Sequence, residues 1–248
     1  MRRYSLDPIY LNLKNKSISL EKDSFHHICE VCRNKKGSKF EVLIKEKAYL
    51  VKITEVFKKN AIAIILEERK IKELKKPFLH LVLSMPKFSV FEDVLEKSVE
   101  MGVSEIHLLS TSNSFVKSAN KISIAKYNRW KKIISSSMSQ SARSTDLILH
   151  PLSNRDKVID RLKLKNIPGI AAYVNSTNTF SSVIKPLKDQ NCKNIAMYVG
   201  PEGGFTQDDI SFFKSQKILD FSLGEQVLKV ETACLFLVSL VKYELQDL

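Results

Sequence analysis

The sequence predicts an α/β protein in two parts. A small barrel-like β domain spans residues 1–74, and a mostly parallel sheet with helices on both faces spans residues 75–248. Three observations carry this. Short runs rich in Val, Ile and aromatic residues fill the first 68 positions, as strands require. The charged stretch Glu67–Lys76 (EERKIKELKK) then ends at Pro77 and breaks the pattern. Beyond it, strand-like runs alternate with helical ones, as in βαβ units.

In the first part the strand-like runs are Ser17–Leu20, Phe40–Ile44, Ala48–Phe57 and Ala61–Leu66. One helical segment interrupts them, from about Phe25 to Arg33. Asp23 or Ser24 suits its start, and Arg33, Lys35 and Lys36 lie at its negative end ahead of Gly37.

In the second part Phe78–Met85 is an apolar strand. Phe91, Val94, Leu95 and Val99 follow at helical spacing, with Ser89 and Glu92 in the form of a capping box. Further strands are expected at Glu105–Ser110, Leu147–Leu152, Gly169–Val174, Ile195–Val199 and Ile218–Ser222. Helices are expected near 124–141, 155–164, 206–216 and 228–246. Parallel sheets bind ligands beyond the carboxyl ends of their strands. The loops after Val174, Val199 and Ser222 therefore become the candidate site.

Apolar residues make up 44% of the chain, enough for a core, which excludes disordered and collagen-like classes. Cys29, Cys32, Cys192 and Cys234 are too few and scattered for a disulfide framework. No apolar segment with a small-residue cleavage site follows the N-terminal arginines, and the longest apolar stretch, Ala233–Val241, is half of a membrane span. A reduced, cytoplasmic protein with no membrane partner is expected. Cys29-x-x-Cys32 lacks a second cysteine pair and reads as structural, and no metal is expected anywhere in the chain. His80, His107 and His150, in or beside apolar strands, read as structural.

The net charge is +13 and unevenly spread. Residues 1–76 hold 19 basic against 10 acidic side chains, and residues 115–165 hold 12 against 3. Two basic segments beside near-neutral ones suit a surface that neutralises phosphates. Trp130 and Tyr127, amid Lys126, Arg129, Lys131 and Lys132, read either as a base-stacking platform or as a core anchor.

Two loops carry the chemistry. The first reads Val199-Gly200-Pro201-Glu202-Gly203-Gly204-Phe205-Thr206, with Thr206 and Asp209 set to cap the next helix. Its glycines let backbone approach a ligand, while Glu202 argues against phosphate. A structural Gly-rich turn is the plainer alternative. The second, Leu223-Gly224-Glu225-Gln226-Val227-Leu228-Lys229, supplies a second wall at the same sheet edge.

VGPEGGFT followed by SLGEQVLKVETA resembles the RsmE family, SPOUT-class methyltransferases acting on N3 of a uridine in small-subunit (16S) ribosomal RNA. The resemblance extends to Glu96–Val103 (EKSVEMGV), Ser139–Arg143 (SQSAR) and the His27…Arg33…Gly37 pattern. It implies a PUA-like N-terminal domain, a trefoil-knotted SPOUT-type sheet, a homodimer, and S-adenosylmethionine as cofactor. Carried over residue by residue, the cofactor would meet Tyr173 and Val174 on one loop and Val199, Gly200, Pro201, Glu202 and Gly203 on the next. Leu223, Gly224, Val227 and Leu228 would close the site. Arg143 would face the target base or its phosphate, with Lys229 as charge stabiliser and Glu202 as polar partner. RNA would meet Arg2, Arg3, His27, Arg33, Lys35, Lys36, Asn113 and Arg143. Asn113 and Gln226 stand where the family usually has arginine, Lys229 replaces another, and Ser139 replaces a glutamate. A non-catalytic RNA-binding or ribosome-assembly protein of the same fold, or a methyltransferase for another RNA base, are the competing readings.

Overall fold

A computed structural model describes residues 2–71, 73–141, 143 and 145–246. They form two compact units, Met1–Glu73 with Ser135–Asp146, and Leu74–Ile134 with Leu147–Leu248.

The first unit holds β1 (Arg3–Ser5), β2 (Leu11–Asn12), β3 (Ser17–Glu21), β4 (Lys39–Ile44), β5 (Lys47–Val56) and β6 (Asn60–Lys70). They form one sheet in the order β1-β4-β5-β6-β3-β2, antiparallel except for β1 beside β4. Irregularities at Leu50/Val51 and Ile53/Glu55 bend the long β5–β6 pair. Alternate residues Ile18, Leu20, Phe40, Val42, Val51 and Ile53 build its core, and Phe25 and Ile28 cover it. The expected helix is a single turn, α1 (Lys22–Phe25), continued as a wide π-type turn over His26–Val31. Ser24 Oγ accepts the Glu21 N–H there. The charged stretch before Pro77 is partly strand, because β6 runs on to Lys70. Arg69 reaches back to Glu41, which Arg3 also binds at 2.7 Å. Burial would raise the Glu41 pKa, but these two guanidiniums outweigh it and hold the carboxyl low.

The second unit is a six-stranded parallel sheet of β7 (Phe78–Ser84), β8 (Glu105–Ser110), β9 (Ile148–Asn154), β10 (Gly169–Ala172), β11 (Asn194–Val199) and β12 (Leu219–Phe221). Their order is β12-β10-β11-β7-β8-β9. The helices are α2 (Phe88–Glu100), α3 (Ile124–Ser141, of which 124–134 belong to this unit), α4 (Arg155–Leu164), α5 (Phe180–Asp189), α6 (Gln207–Ser215) and α7 (Val230–Gln246). β7 is buried along nearly its whole length, as a central parallel strand covered on both faces must be. The predicted α/β class is the one observed. No described helix is long and apolar enough to cross a membrane.

Two local expectations change, and one open alternative is decided. The helix α5 was not expected; Pro186 lies inside it, where proline removes a hydrogen bond. Thr179 caps its start through the Ser182 N–H. Ser89 lies inside α2 and forms no box with Glu92. Glu92 instead binds Lys126 and Arg129, while Lys87, the residue ahead of α2, donates its N–H to Glu202 Oε1 at 3.0 Å. Trp130 is fully buried against Phe91, with ring centroids 4.7 Å apart, so it anchors the core rather than stacking on a base. The Thr206–Asp209 capping box of α6 forms as expected.

Candidate cofactor cleft and nucleic-acid surface

Parallel strand order brings three loops to one edge of the second unit's sheet. Residues after β10, β11 and β12 enclose a cleft of about 220 Å³ with the first turn of α7. Tyr173 and Val174 line one side; Val199, Gly200, Pro201 and Gly203 line the next; Leu223, Gly224 and Leu228 line the third. Glu202 and Val227 are not brought into the lining. Val227 is 76% exposed, and the Glu202 carboxylate holds the Lys87 amide instead.

The lining also includes Asn175, Gly204, Phe205, Gln226, Val230 and Ala233, which the sequence reading left out. Val230 and Ala233 lie three apart on α7, so helical spacing could have found Ala233 once Val230 was placed. None of the lining residues is charged, so the wall offers a phosphate no cation.

The glycine loop is tight. The Gly204 N–H donates to Pro201 O at 2.8 Å, and Gly204 has φ +67, a region disfavoured for residues with a Cβ. A Cβ on Gly200 would lie 3.0 Å from both Gly204 C and Phe205 N. Asn113 holds the same loop from outside: its Nδ2 donates to Gly203 O at 3.0 Å and Gly204 O at 3.1 Å. We expect Asn113→Ala to weaken ligand binding in the cleft about fivefold to thirtyfold, since two loop carbonyls lose their donor. Its melting temperature should shift by less than about 3 °C. Calorimetry and a thermal melt on the variant check both.

The remaining predicted residues lie elsewhere. Lys229 is exposed ahead of α7, its carbonyl accepting the Ala233 N–H. Arg143 belongs to the first unit and is 7% exposed. Its Nε donates to Thr145 O at 2.6 Å, and burial pushes its pKa down to about 10, which leaves it charged at neutral pH. Arg2, His27, Arg33, Lys35 and Lys36 are exposed on the first unit, Arg2 donating to Cys32 O. Arg3 is half-buried on Glu41 and Gln140 O.

An RNA methyltransferase domain model matches residues 72–242, and an RNA methyltransferase PUA domain model matches residues 20–66. The chain is 28% identical over 231 residues to Ribosomal RNA small subunit methyltransferase E of Helicobacter pylori, covering 92% of this chain and 96% of that one. It is 26% identical to Ribosomal RNA small subunit methyltransferase E 2 of Borreliella burgdorferi, covering 90% and 89%. The fold matches that of a Ribosomal RNA small subunit methyltransferase E from Neisseria gonorrhoeae bound to S-adenosyl methionine. That likeness has TM-score 0.79 at 24% identity and covers 98% of this chain and 97% of the other. With a methyltransferase model spanning most of its length and the motif resemblance to RsmE borne out, the chain belongs to the RNA methyltransferase family.

Proposed function

We propose that this protein methylates N3 of a uridine in small-subunit (16S) ribosomal RNA, with S-adenosylmethionine as donor. The observation that carries the reading is the uncharged three-loop cleft with its pinned glycine turn. A donor bearing a sulfonium, an amine and ribose hydroxyls, and no phosphate, suits such walls. When bound, the donor supplies the methyl group that uracil N3 takes.

The chain's own residues hold and orient. The tight turn at Gly200–Gly204 lets backbone approach the ligand, while Asn113 and the Glu202–Lys87 link keep that turn in place. A preset loop lowers the entropy lost on binding. Uracil N3 becomes nucleophilic as its proton leaves, so a cation near the base favours the reactive form. Arg143 is assigned that role, and Lys229 a supporting one. The exposed cations of the first unit, from Arg2 to Lys36, gather the RNA backbone. A trefoil knot, a homodimer and a cytoplasmic location belong to the same proposal.

Calorimetry with S-adenosylmethionine tests the reading first; a folded protein that fails to bind it would favour the non-catalytic alternative. Arg143→Ala is expected to lower methylation about 100-fold with donor affinity nearly unchanged, and equal loss of both would remove the assigned role. Because Arg143 is buried, Arg143→Lys and a melt accompany it. RNA affinity should fall more than about tenfold between roughly 50 and 200 mM salt, while donor affinity barely moves.

A further inference from the structure

At the other edge of the second unit's sheet, where the strands begin, four polar side chains meet. His80 pairs in register with Glu105, and His107 with His150, across β7, β8 and β9. Residues two apart share a strand face, so Glu105 and His107 point the same way. His80 and His107 are 2% and 0% exposed, and Glu105 9%. His80 Nδ1 lies 3.2 Å from His107 Nε2 and 3.8 Å from Glu105 Oε2, with His107 Nε2 3.6 Å from that oxygen. A point about 2 Å from all three atoms exists, which is the bond length of zinc to imidazole nitrogen and carboxylate oxygen.

The surroundings fit a ligand set. Asn194 Oδ1 lies 3.2 Å from His80 Nε2 and can only accept, so His80 carries its proton there and presents a lone pair from Nδ1. Such partners orient metal-ligating histidines. Lys165 Nζ sits nearer Glu105 Oε1, at 3.1 Å, than Oε2, at 3.5 Å, leaving Oε2 toward the histidines. His150 stacks on His107 with centroids 4.3 Å apart, and its Nε2 is 2.6 Å from Glu105 Oε2. An open cavity of about 590 Å³ is lined by Lys165 and Asn194, the residues that bond Glu105 and His80, among others.

We propose that His80, Glu105 and His107 bind one zinc ion, with His150 holding the Glu105 carboxylate from outside the shell. An imidazole-rich donor set suits zinc; magnesium and calcium take oxygen ligands. On binding, the His107 proton moves from Nε2 to Nδ1, and the His80–His107 hydrogen bond is replaced by two metal bonds. The ion ties β7, β8 and β9 together at the edge away from the cleft, so metal content and melting temperature report it rather than methyl transfer.

The test uses the full chain, stripped with chelator and titrated with Zn²⁺ or Co²⁺. One ion per chain in native mass spectrometry, a Co²⁺ ligand-field absorption and a zinc-induced melting rise of about 3 °C or more are expected. Glu105→Gln and His80→Gln should each weaken binding about tenfold or more, while Cys29→Ser leaves it unchanged. No bound ion at tenfold metal excess overturns the site, as does binding that survives both substitutions or disappears with Cys29→Ser. Should a substituted chain fail to fold, Co²⁺ shifts of histidine ring protons in the unsubstituted chain decide. Shifted His80 and His107 signals support the site, and unshifted ones overturn it.

Discussion

Trp130→Ala is expected to destabilise the second unit by about 3–5 kcal/mol, the range for deleting a large buried aromatic. The indole is fully buried, edge-on to Phe91 and Tyr127 and tilted on Phe88 at 6.1 Å. Alanine would leave a cavity between α2 and α3, and the ion pairs of Glu92 with Lys126 and Arg129 close by are too exposed to compensate. Urea unfolding followed by far-ultraviolet circular dichroism reads the change. Had Trp130 been a stacking platform, its removal would reduce RNA affinity and spare stability. A loss under about 1 kcal/mol would contradict the packing described.

Gly200→Ala is expected to reduce S-adenosylmethionine affinity at least tenfold, about 1.4 kcal/mol or more, with only a small change in melting temperature. The added carbon would lie 3.0 Å from Gly204 C and Phe205 N, which are backbone atoms and cannot rotate aside. The loop would have to open, and with it the Gly204-to-Pro201 bond and both Asn113 bonds. At Gly203 the obstruction is milder, since a Cβ there meets the Asn113 side chain at 3.2 Å. Calorimetry on both variants should order them Gly200 before Gly203. Unchanged affinity in a folded Gly200→Ala protein would remove this loop from the donor site.

Where local pattern decides the structure, the sequence was readable. Val158, Ile159 and Leu162 repeat at helical spacing behind the Asn154 cap, and α4 occupies the expected residues 155–164. The three loops of the cleft were legible because parallel strands deliver their loops to one edge. What was hidden depends on contacts between distant positions. Lys87 finds its acceptor 115 residues away in Glu202, and Asn113 finds Gly203 and Gly204 about 90 residues away. No window of sequence holds both ends of such a bond. Thus Ser89–Glu92 looked like a cap, and Asn113 looked like a lost arginine rather than a brace. In α5 the local signal against helix at Pro186 is overruled by burial of Val183 and Ile184.

The first unit is discontinuous in sequence, since Ser135–Asp146 groups with Met1–Glu73. A fragment ending at Leu74 keeps six strands but lacks Gln140, whose carbonyl receives the Arg3 guanidinium at 3.0 Å. During synthesis, therefore, the segment carrying that acceptor is still unmade when the unit's last strand is complete. Its end, Asp146, follows Glu73 by 73 residues, roughly 4 to 15 seconds of translation. Through that interval the nascent sheet must persist with its final segment still unmade.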